Sequence, residues 1–231
     1  MNIIQMKEKL RCSALDCFEN NFFDENFKIG VIKHVSYDGL SIEQSPHIID
    51  IFNKLITTFK PKRIIEIGTF RGGLTLIMRD LLDSNHMNEV EVKTYDVSLP
   101  EYVLVQLKEK NISIEVKNLF TDSYLDFRNQ ESKKELYDYI NNDGVTIILC
   151  DGGSKKNEFN LISDLLKTGD IIMAHDYAPN QTYFNKNMNN KIWNWMEIQD
   201  SDIDSSCKKN NLVPLMQEDF INVAWVCKIK K

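Results

Sequence analysis

Five short runs rich in β-branched residues, separated by amphipathic segments, constrain the fold of this chain most. Val, Ile and Thr favour pleated strands, and Gly, Asn or Asp bounds most of the runs. The segments between them carry apolar residues at helical spacing, with predicted helix starts at Ser45, Gly73, Pro100 and Asn157. This alternation predicts an α/β protein with a doubly wound parallel sheet. The predicted strands are residues 63–68, 90–96, 112–117, 145–150 and 170–174.

The C-terminal part of the chain departs from this alternation. Residues 212–216 and 222–229 are both strand-like, and we expect no helix in the few residues between them. The two strands should therefore pair antiparallel at the end of the sheet. Residues 1–44 are predicted to form a helical and irregular N-terminal extension, and residues 45–231 a single α/β domain.

Composition narrows the possible partners. The formal charge of −6 argues against nucleic acid, whose binding depends on clustered Lys and Arg. No apolar leader or stretch of ~20 apolar residues is present, so we expect no membrane association. The five cysteines show no CxxC spacing, which indicates reduced thiols in a cytoplasmic protein. A homo-oligomer is compatible with the sequence.

The loop after the first predicted strand has the features of a ligand-binding turn. It contains Glu66 inside the strand, then Gly68, Gly72 and Gly73. Gly68 permits a sharp turn with positive φ, and the later glycines let the helix start approach a ligand closely. Free N–H groups at a helix start favour an anion. An ordinary strand–helix turn would explain the glycines, but it would not explain Glu66.

Acidic residues end the neighbouring predicted strands. Asp96 ends the second strand, where a carboxylate accepts hydrogen bonds from ribose hydroxyls in nucleoside sites. Asp151, His175 and Asp176 follow the fourth and fifth strands, and we expect them to converge. Two carboxylates and an imidazole suit a divalent cation that keeps several waters. The alternative is a pair of turn-capping aspartates with His175 hydrogen-bonded to one of them.

Together these motifs resemble the class I S-adenosylmethionine-dependent methyltransferases. The strand–ExGxxxGG–helix pattern, the strand-end acid and Asp151-Gly-Gly153 carry the resemblance over roughly residues 30–230. With His175-Asp176-Tyr177, they resemble most the group related to macrocin O-methyltransferase and cephalosporin hydroxylase. The resemblance implies a Rossmann-like sheet of seven strands in the order 3-2-1-4-5-7-6, with the last strand antiparallel.

The same resemblance implies roles for individual residues. Those matching the contacts to the methionine part of the cofactor are Glu66, Gly68, Gly72 and Gly73. Those matching the contacts to its ribose and adenine, or lying over it, are Asp96, Asn118, Leu119, Phe120 and Gln44. Asp151 and Asp176 match metal ligands. His175 departs from the usual Glu-Asp or Asp-Asn pair, so it is either a third ligand, which favours a transition metal over magnesium, or the general base.

The function implied is methyl transfer from S-adenosylmethionine to a hydroxyl of a small molecule or sugar. A divalent cation, such as Mg²⁺ or Mn²⁺, would assist, and His175 and Asp151 would be catalytic. A cephalosporin hydroxylase-like enzyme or a non-catalytic nucleoside-binding protein on the same fold are the alternatives. An NAD-linked oxidoreductase is less favoured, because the pattern is GxxxGG rather than GxGxxG and no separate catalytic domain follows.

Three further features have weaker interpretations. Trp193 and Met196 are three residues apart and predict a helix packed on the core, with an aromatic lid over a substrate as the alternative. The acids at 200, 202 and 204 predict a solvated loop. We expect His34 to be a packed or surface residue, and the alternative is that it lines the site from the extension.

Overall fold

Two β-sheets and surrounding helices form the computed structural model, which describes residues 1–12 and 35–231. The strands are β1 (Leu10–Cys12), β2 (Val35–Tyr37), β3 (Leu40–Ile42), β4 (Arg63–Ile67), β5 (Glu91–Asp96), β6 (Ser113–Val116), β7 (Thr146–Cys150), β8 (Ile171–Ala174), β9 (Leu212–Pro214) and β10 (Val226–Lys230). The α-helices of four or more described residues are α1 (Ile3–Lys7), α2 (Ile48–Phe59), α3 (Gly73–Ser84), α4 (Glu101–Glu109), α5 (Gln130–Asn141), α6 (Lys155–Ser163), α7 (Asp200–Lys209) and α8 (Gln217–Phe220). None of these helices is long and apolar enough to cross a membrane.

The larger sheet has seven strands in the order β6-β5-β4-β7-β8-β10-β9. Strands β4 to β8 pair parallel with one another, whereas β10 pairs antiparallel with both β8 and β9. Counted along the chain within this sheet, the order is 3-2-1-4-5-7-6. The doubly wound fold and its antiparallel end are therefore confirmed.

Both faces of the sheet are buried, as the alternation along β4 shows. Ile64 packs into one apolar cluster, with residues of α2, α3 and α4. Ile65 packs into the other, with residues of α5, α6 and α7. Adjacent strand residues point to opposite faces, so a run of apolar residues on β4 supplies both halves of the core.

The segment between β9 and β10 corrects one expectation. A short helix, α8, and a 3₁₀ turn at Ile221–Val223 occupy it, so the expectation that no helix fits there is wrong. The strand β9 ends at Pro214, which leaves enough residues for one helical turn. Met216 has a φ of 47°, and this left-handed residue turns the chain into α8.

Two helices and one loop also differ from the sequence-based expectation. Helix α5 was not predicted. The acids expected in a solvated loop instead lie in helix α7. Asp200 and Asp202 are in its first turn, where a negative charge interacts favourably with the positive end of the helix dipole. Conversely, Trp193 and Met196 lie outside any regular helix, after a helical turn at Gln181–Tyr183 and a π-helix at Phe184–Met188. The spacing of two apolar residues was too weak a signal to predict a helix.

A small three-stranded sheet precedes the larger one. Strands β1 and β3 both pair antiparallel with β2, and Asp38 and Gly39 form the tight turn between β2 and β3 with φ of 49° and 84°. An Asp-Gly pair with positive φ at both positions is typical of two-residue hairpins. These strands lie inside the predicted extension, whose boundary at residue 44 stays a prediction. His34 lies outside the described residues.

A buried carboxylate attaches this small sheet to the larger domain. Asp80 of α3 accepts hydrogen bonds from the Tyr37 hydroxyl at 2.8 Å, from Lys9 Nζ at 3.1 Å and from Lys110 Nζ at 2.9 Å. Burial alone would raise the pKa of Asp80, but the donors, Lys110 and Tyr37 first, hold it below its usual value. The charged form of Asp80 thus joins three separate parts of the chain.

We expect Tyr37→Phe to lower the free energy of unfolding by about 1–3 kcal/mol, because a buried charged acceptor loses one donor without a change of shape. Urea unfolding of both proteins measures this difference. Tyr102→Phe is the matched control, since Tyr102 is exposed. Equal stability of Tyr37→Phe and wild type would show that the Tyr37–Asp80 hydrogen bond does not stabilise the junction.

Candidate functional site

A cleft of about 470 Å³ opens at the carboxyl ends of β4, β5, β7 and β8. The strand order reverses between β4 and β7, which is where doubly wound sheets bind ligands. The predicted site residues that line the cleft are Gln44, Glu66, Gly68, Gly73, Asp96, Asn118, Leu119, Phe120, Asp151, His175 and Asp176. Gly72 lies outside this lining. The structure therefore brings most of the predicted residues into one cavity, while their roles stay predictions.

The glycines of the loop allow other segments of the chain to pack closely against it. Gly68 has a φ of 91°, and a Cβ there would lie 2.4 Å from the carbonyl oxygen of Asp151. A Cβ on Gly73 would lie 1.9 Å from Ile42 Cγ2 on β3. The absence of side chains at these positions lets β4, the loop after β7 and the small sheet meet at one end of the cleft.

Glu66 is buried on β4 beneath this loop. Its Oε2 accepts hydrogen bonds from the hydroxyls of Thr75 and Thr94, the latter at 2.9 Å. Burial raises the pKa of Glu66 to about 8, and the two hydrogen bonds only partly oppose this effect. At neutral pH the side chain is therefore mostly a neutral acid.

Asp96 holds the loop at the end of β5. One carboxylate oxygen accepts the N–H of Phe70 at 2.8 Å, and the other accepts the N–H of Ser98 at 3.2 Å. Each oxygen has a second lone pair that can accept a further hydrogen bond. Asp96 thus fixes the glycine loop and still has the capacity to bind vicinal hydroxyls.

A second polar cluster, which includes Asp151, lines the cleft beside the glycine loop. His175 Nδ1 is 3.3 Å from Asp151 Oδ1 and 3.5 Å from Asp176 Oδ1. Gln44 Nε2 donates to Asp151 Oδ2 at 2.8 Å and lies 3.2 Å from His175 Nδ1. Trp225 Nε1 donates to Gln44 Oε1 at 2.8 Å, which fixes the orientation of the amide. Trp225 was not predicted, because a Trp in a strand-like run gives no sign of such a contact.

His175 is enclosed by aromatic rings. Its centroid lies 4.9 Å from that of Trp225, nearly stacked, and 4.9 Å from that of Trp193. Its Nε2 is buried with no hydrogen-bond partner among the described residues. Burial tends to lower the pKa of His175, but the carboxylates of Asp176 and Asp151 outweigh it and raise this pKa.

Lys155, the first residue of α6, was missed by sequence reasoning. Its Nζ is 3.0 Å from Asp176 Oδ2, 3.1 Å from Glu197 Oε2 and 3.8 Å from Asp151 Oδ1. Burial opposes the charged form, yet Asp176 and Asp151 raise the pKa of Lys155 above its usual value. The only sequence signal was its position four residues after Asp151, which by itself indicates a helix start as readily as an ion pair.

The predicted metal ligands do converge. One oxygen or nitrogen from each of Asp151, His175 and Asp176 lies within 4.8 Å of those of the other two. However, the Lys155 ammonium already contacts Asp176, and Trp193 Nε1 donates to the other oxygen of Asp176. A divalent cation requires these oxygens as ligands, so the arrangement does not fit such an ion while Lys155 is in place.

Comparison with known proteins adds information about the fold. No family model matches the chain, and no curated protein matches it in sequence. Among solved structures, CmcI in an apo form is 14% identical with a TM-score of 0.57, covering 85% of this chain and 76% of CmcI. CmcI with Mg and SAM is 15% identical with a TM-score of 0.55, covering 96% of this chain and 86% of CmcI. This likeness confirms the Rossmann-like fold of the chain.

The burial of Glu66 predicts a pH dependence of stability. Its pKa is about 8 in the folded chain against an ordinary value of 4.5, so the folded state holds a proton that the unfolded state releases between these values. The free energy of unfolding should therefore fall as pH rises from 5 to 8, by up to roughly 1.4 kcal/mol per pH unit from this group. Glu66→Gln, which resembles the protonated acid, should reduce that slope.

Urea unfolding of wild type and Glu66→Gln at several pH values between 5 and 8 tests this expectation. Glu115→Gln is the control, because Glu115 is a partly exposed acid on β6. Parallel pH profiles for wild type and Glu66→Gln would contradict a neutral Glu66 in the folded chain.

Proposed function

We propose that this chain transfers a methyl group from S-adenosylmethionine to a hydroxyl of a small molecule or sugar. One observation carries the proposal: a single cleft is lined both by the glycine loop with Asp96 and by Asp151 with His175. Groups of the first kind can bind a nucleoside, and groups of the second kind can take a proton. Methyl transfer to oxygen needs both within one cavity.

The fold supports the choice of cofactor. CmcI, which shares this fold, has been solved with SAM. In our proposal Asp96 binds the ribose hydroxyls, residues 118–120 border the adenine, and the methionine part lies along Gly68. The ammonium group of methionine would favour the charged form of Glu66, because a nearby cation stabilises a carboxylate. Cofactor binding would then release a proton from Glu66 near neutral pH.

The cluster of Asp151, His175 and Asp176 supplies a base. Bound S-adenosylmethionine would supply the methyl group: its carbon–sulfur bond would break as the acceptor oxygen bonds to the methyl carbon, and S-adenosylhomocysteine would leave. The hydroxyl proton passes to Asp151, whose side chain is 16% exposed and whose pKa is raised by burial. His175, only 2% exposed, lies beside this carboxylate and stabilises it in its charged form before the proton arrives.

The aromatic side chains suit a small ring-shaped acceptor. Trp195 lines the cleft and is half exposed, and its ring lies 5.3 Å from that of Trp193. A flat apolar ring with a polar edge packs well against sugars and other rings. This contact favours a small-molecule acceptor over a macromolecule. No step here requires the predicted divalent cation, which the carboxylates do not fit while Lys155 contacts them.

We expect Asp96→Ala to weaken the binding of S-adenosylmethionine by about 1–3 kcal/mol, because a partly buried charged acceptor of the ribose hydroxyls is lost. Titration calorimetry measures the affinity, with NAD as the competing ligand class. Asp122→Ala is the control, since Asp122 is an exposed acid paired with Arg128. Unchanged affinity in a folded Asp96→Ala protein, or preference of wild type for NAD, would contradict the proposal.

Asp151→Asn should lower kcat roughly 10²–10⁴-fold with a hydroxyl acceptor while leaving the affinity for S-adenosylmethionine nearly unchanged, because the amide cannot take the proton. Formation of S-adenosylhomocysteine over a panel of sugars and small alcohols measures turnover. Wild type that binds S-adenosylmethionine without turnover on any of them would instead indicate a nucleoside-binding protein.

A further inference from the structure

The carboxylates of Asp151 and Asp176 already have a cation from the chain itself. Lys155 Nζ lies among three acids, 3.0 Å from Asp176 Oδ2, 3.1 Å from Glu197 Oε2 and 3.8 Å from Asp151 Oδ1. It also donates to the carbonyl of Gly152 at 3.2 Å. Its side chain is only 10% exposed, and those of Asp176 and Asp151 are 9% and 16% exposed, so Lys155 and the two aspartates form a buried ion cluster with the half-exposed Glu197 at its edge.

The local backbone holds Lys155 in this position. Glu158, fully buried on the same helix, accepts the N–H of Gly152 at 3.1 Å and that of Ser154 at 3.0 Å. These two hydrogen bonds fix the turn that leads from β7 into α6. Lys155 is the first residue of α6 and follows the end of β7 by five residues. Its position follows from the turn and not from a flexible surface chain.

The carboxylate oxygens all face donors of this chain. Asp151 Oδ2 accepts from Gln44 Nε2 at 2.8 Å, and Asp176 Oδ1 accepts from Trp193 Nε1. The remaining oxygens, Asp151 Oδ1 and Asp176 Oδ2, face Lys155. A divalent cation binds carboxylate oxygens at about 2.0–2.6 Å. It would therefore compete with the ammonium for the same two oxygens and would be repelled by its charge.

We propose that Lys155 is the resident cation of this site, and that its ammonium excludes a divalent metal from Asp151 and Asp176. The side chain neutralises the buried carboxylates and keeps them close together, as a metal ion would. This inference concerns the occupancy of the site and does not depend on methyl transfer. It also explains why the residues that a metal would use are present but do not fit one.

Replacement of Lys155 should consequently uncover a metal site. In Lys155→Met the buried acids lose their counter-charge, while a side chain of similar length remains to fill the space. We expect this variant to bind one Mn²⁺ per chain at least about tenfold more tightly than wild type does. Electron paramagnetic resonance and titration calorimetry with MnCl₂ alone measure the binding, and circular dichroism checks the fold.

Two further variants locate the effect. Lys156→Met is the matched control, because Lys156 pairs with Asp202 on the surface and should leave Mn²⁺ binding unchanged. The double variant Lys155→Met with Asp151→Asn should lose the Mn²⁺ site gained by the single variant. A further test leaves Lys155 in place: the single variant Asp151→Asn should bind Mn²⁺ no more weakly than wild type does.

Two results would overturn the inference. One is a one-per-chain Mn²⁺ site in wild type that Asp151→Asn removes, which would show that the metal binds beside Lys155. The other is a folded Lys155→Met protein with no gain in Mn²⁺ binding, which would show that the ammonium is not what excludes the ion. If Lys155→Met does not fold, the comparison of wild type with Asp151→Asn decides.

Discussion

The close contact between Gly68 and the backbone of Asp151 is the constraint on which the cleft depends. These residues follow the two central strands, β4 and β7, at the point where the strand order reverses. A side chain at position 68 would overlap the carbonyl of Asp151, so the two loops can meet only through glycine. Their contact places the glycine loop, Asp96 and the acidic cluster around one cavity.

Buried acids in this cavity are stabilised in two different ways. Among the described residues, Glu66 accepts hydrogen bonds from the hydroxyls of Thr75 and Thr94, and burial raises its pKa to about 8, so it is mostly protonated at neutral pH. Asp176 has His175 and Lys155 beside it, and these, His175 first, hold its pKa below the usual value in spite of burial. Glu66 can therefore gain a charge when a cationic ligand lies beside it, whereas Asp176 is charged beforehand.

The sequence was sufficient for the elements whose signals are local. Runs of β-branched residues located strands β4 to β8, and chain order with strand-end acids placed most of the site residues at one sheet edge. Lys155 escaped prediction because its partners Asp176 and Glu197 are 21 and 42 residues away along the chain. The hairpin at Asp38-Gly39 had a local signal, but its three-residue strands are shorter than the patterns that indicate a strand. Local sequence patterns therefore did not predict the contacts between residues that are far apart along the chain.

The most direct test of the account is a crystal structure of the chain grown with S-adenosylhomocysteine, the product that the proposed reaction leaves behind. We expect one ligand in the cleft, with its ribose on Asp96, its amino-acid part along Gly68 towards Glu66, and its sulfur facing Asp151. Its amino group should lie close enough to Glu66 to stabilise the carboxylate. A ligand bound elsewhere, or a cleft that excludes S-adenosylhomocysteine at saturating concentration, would contradict the assignment of this cavity to methyl transfer.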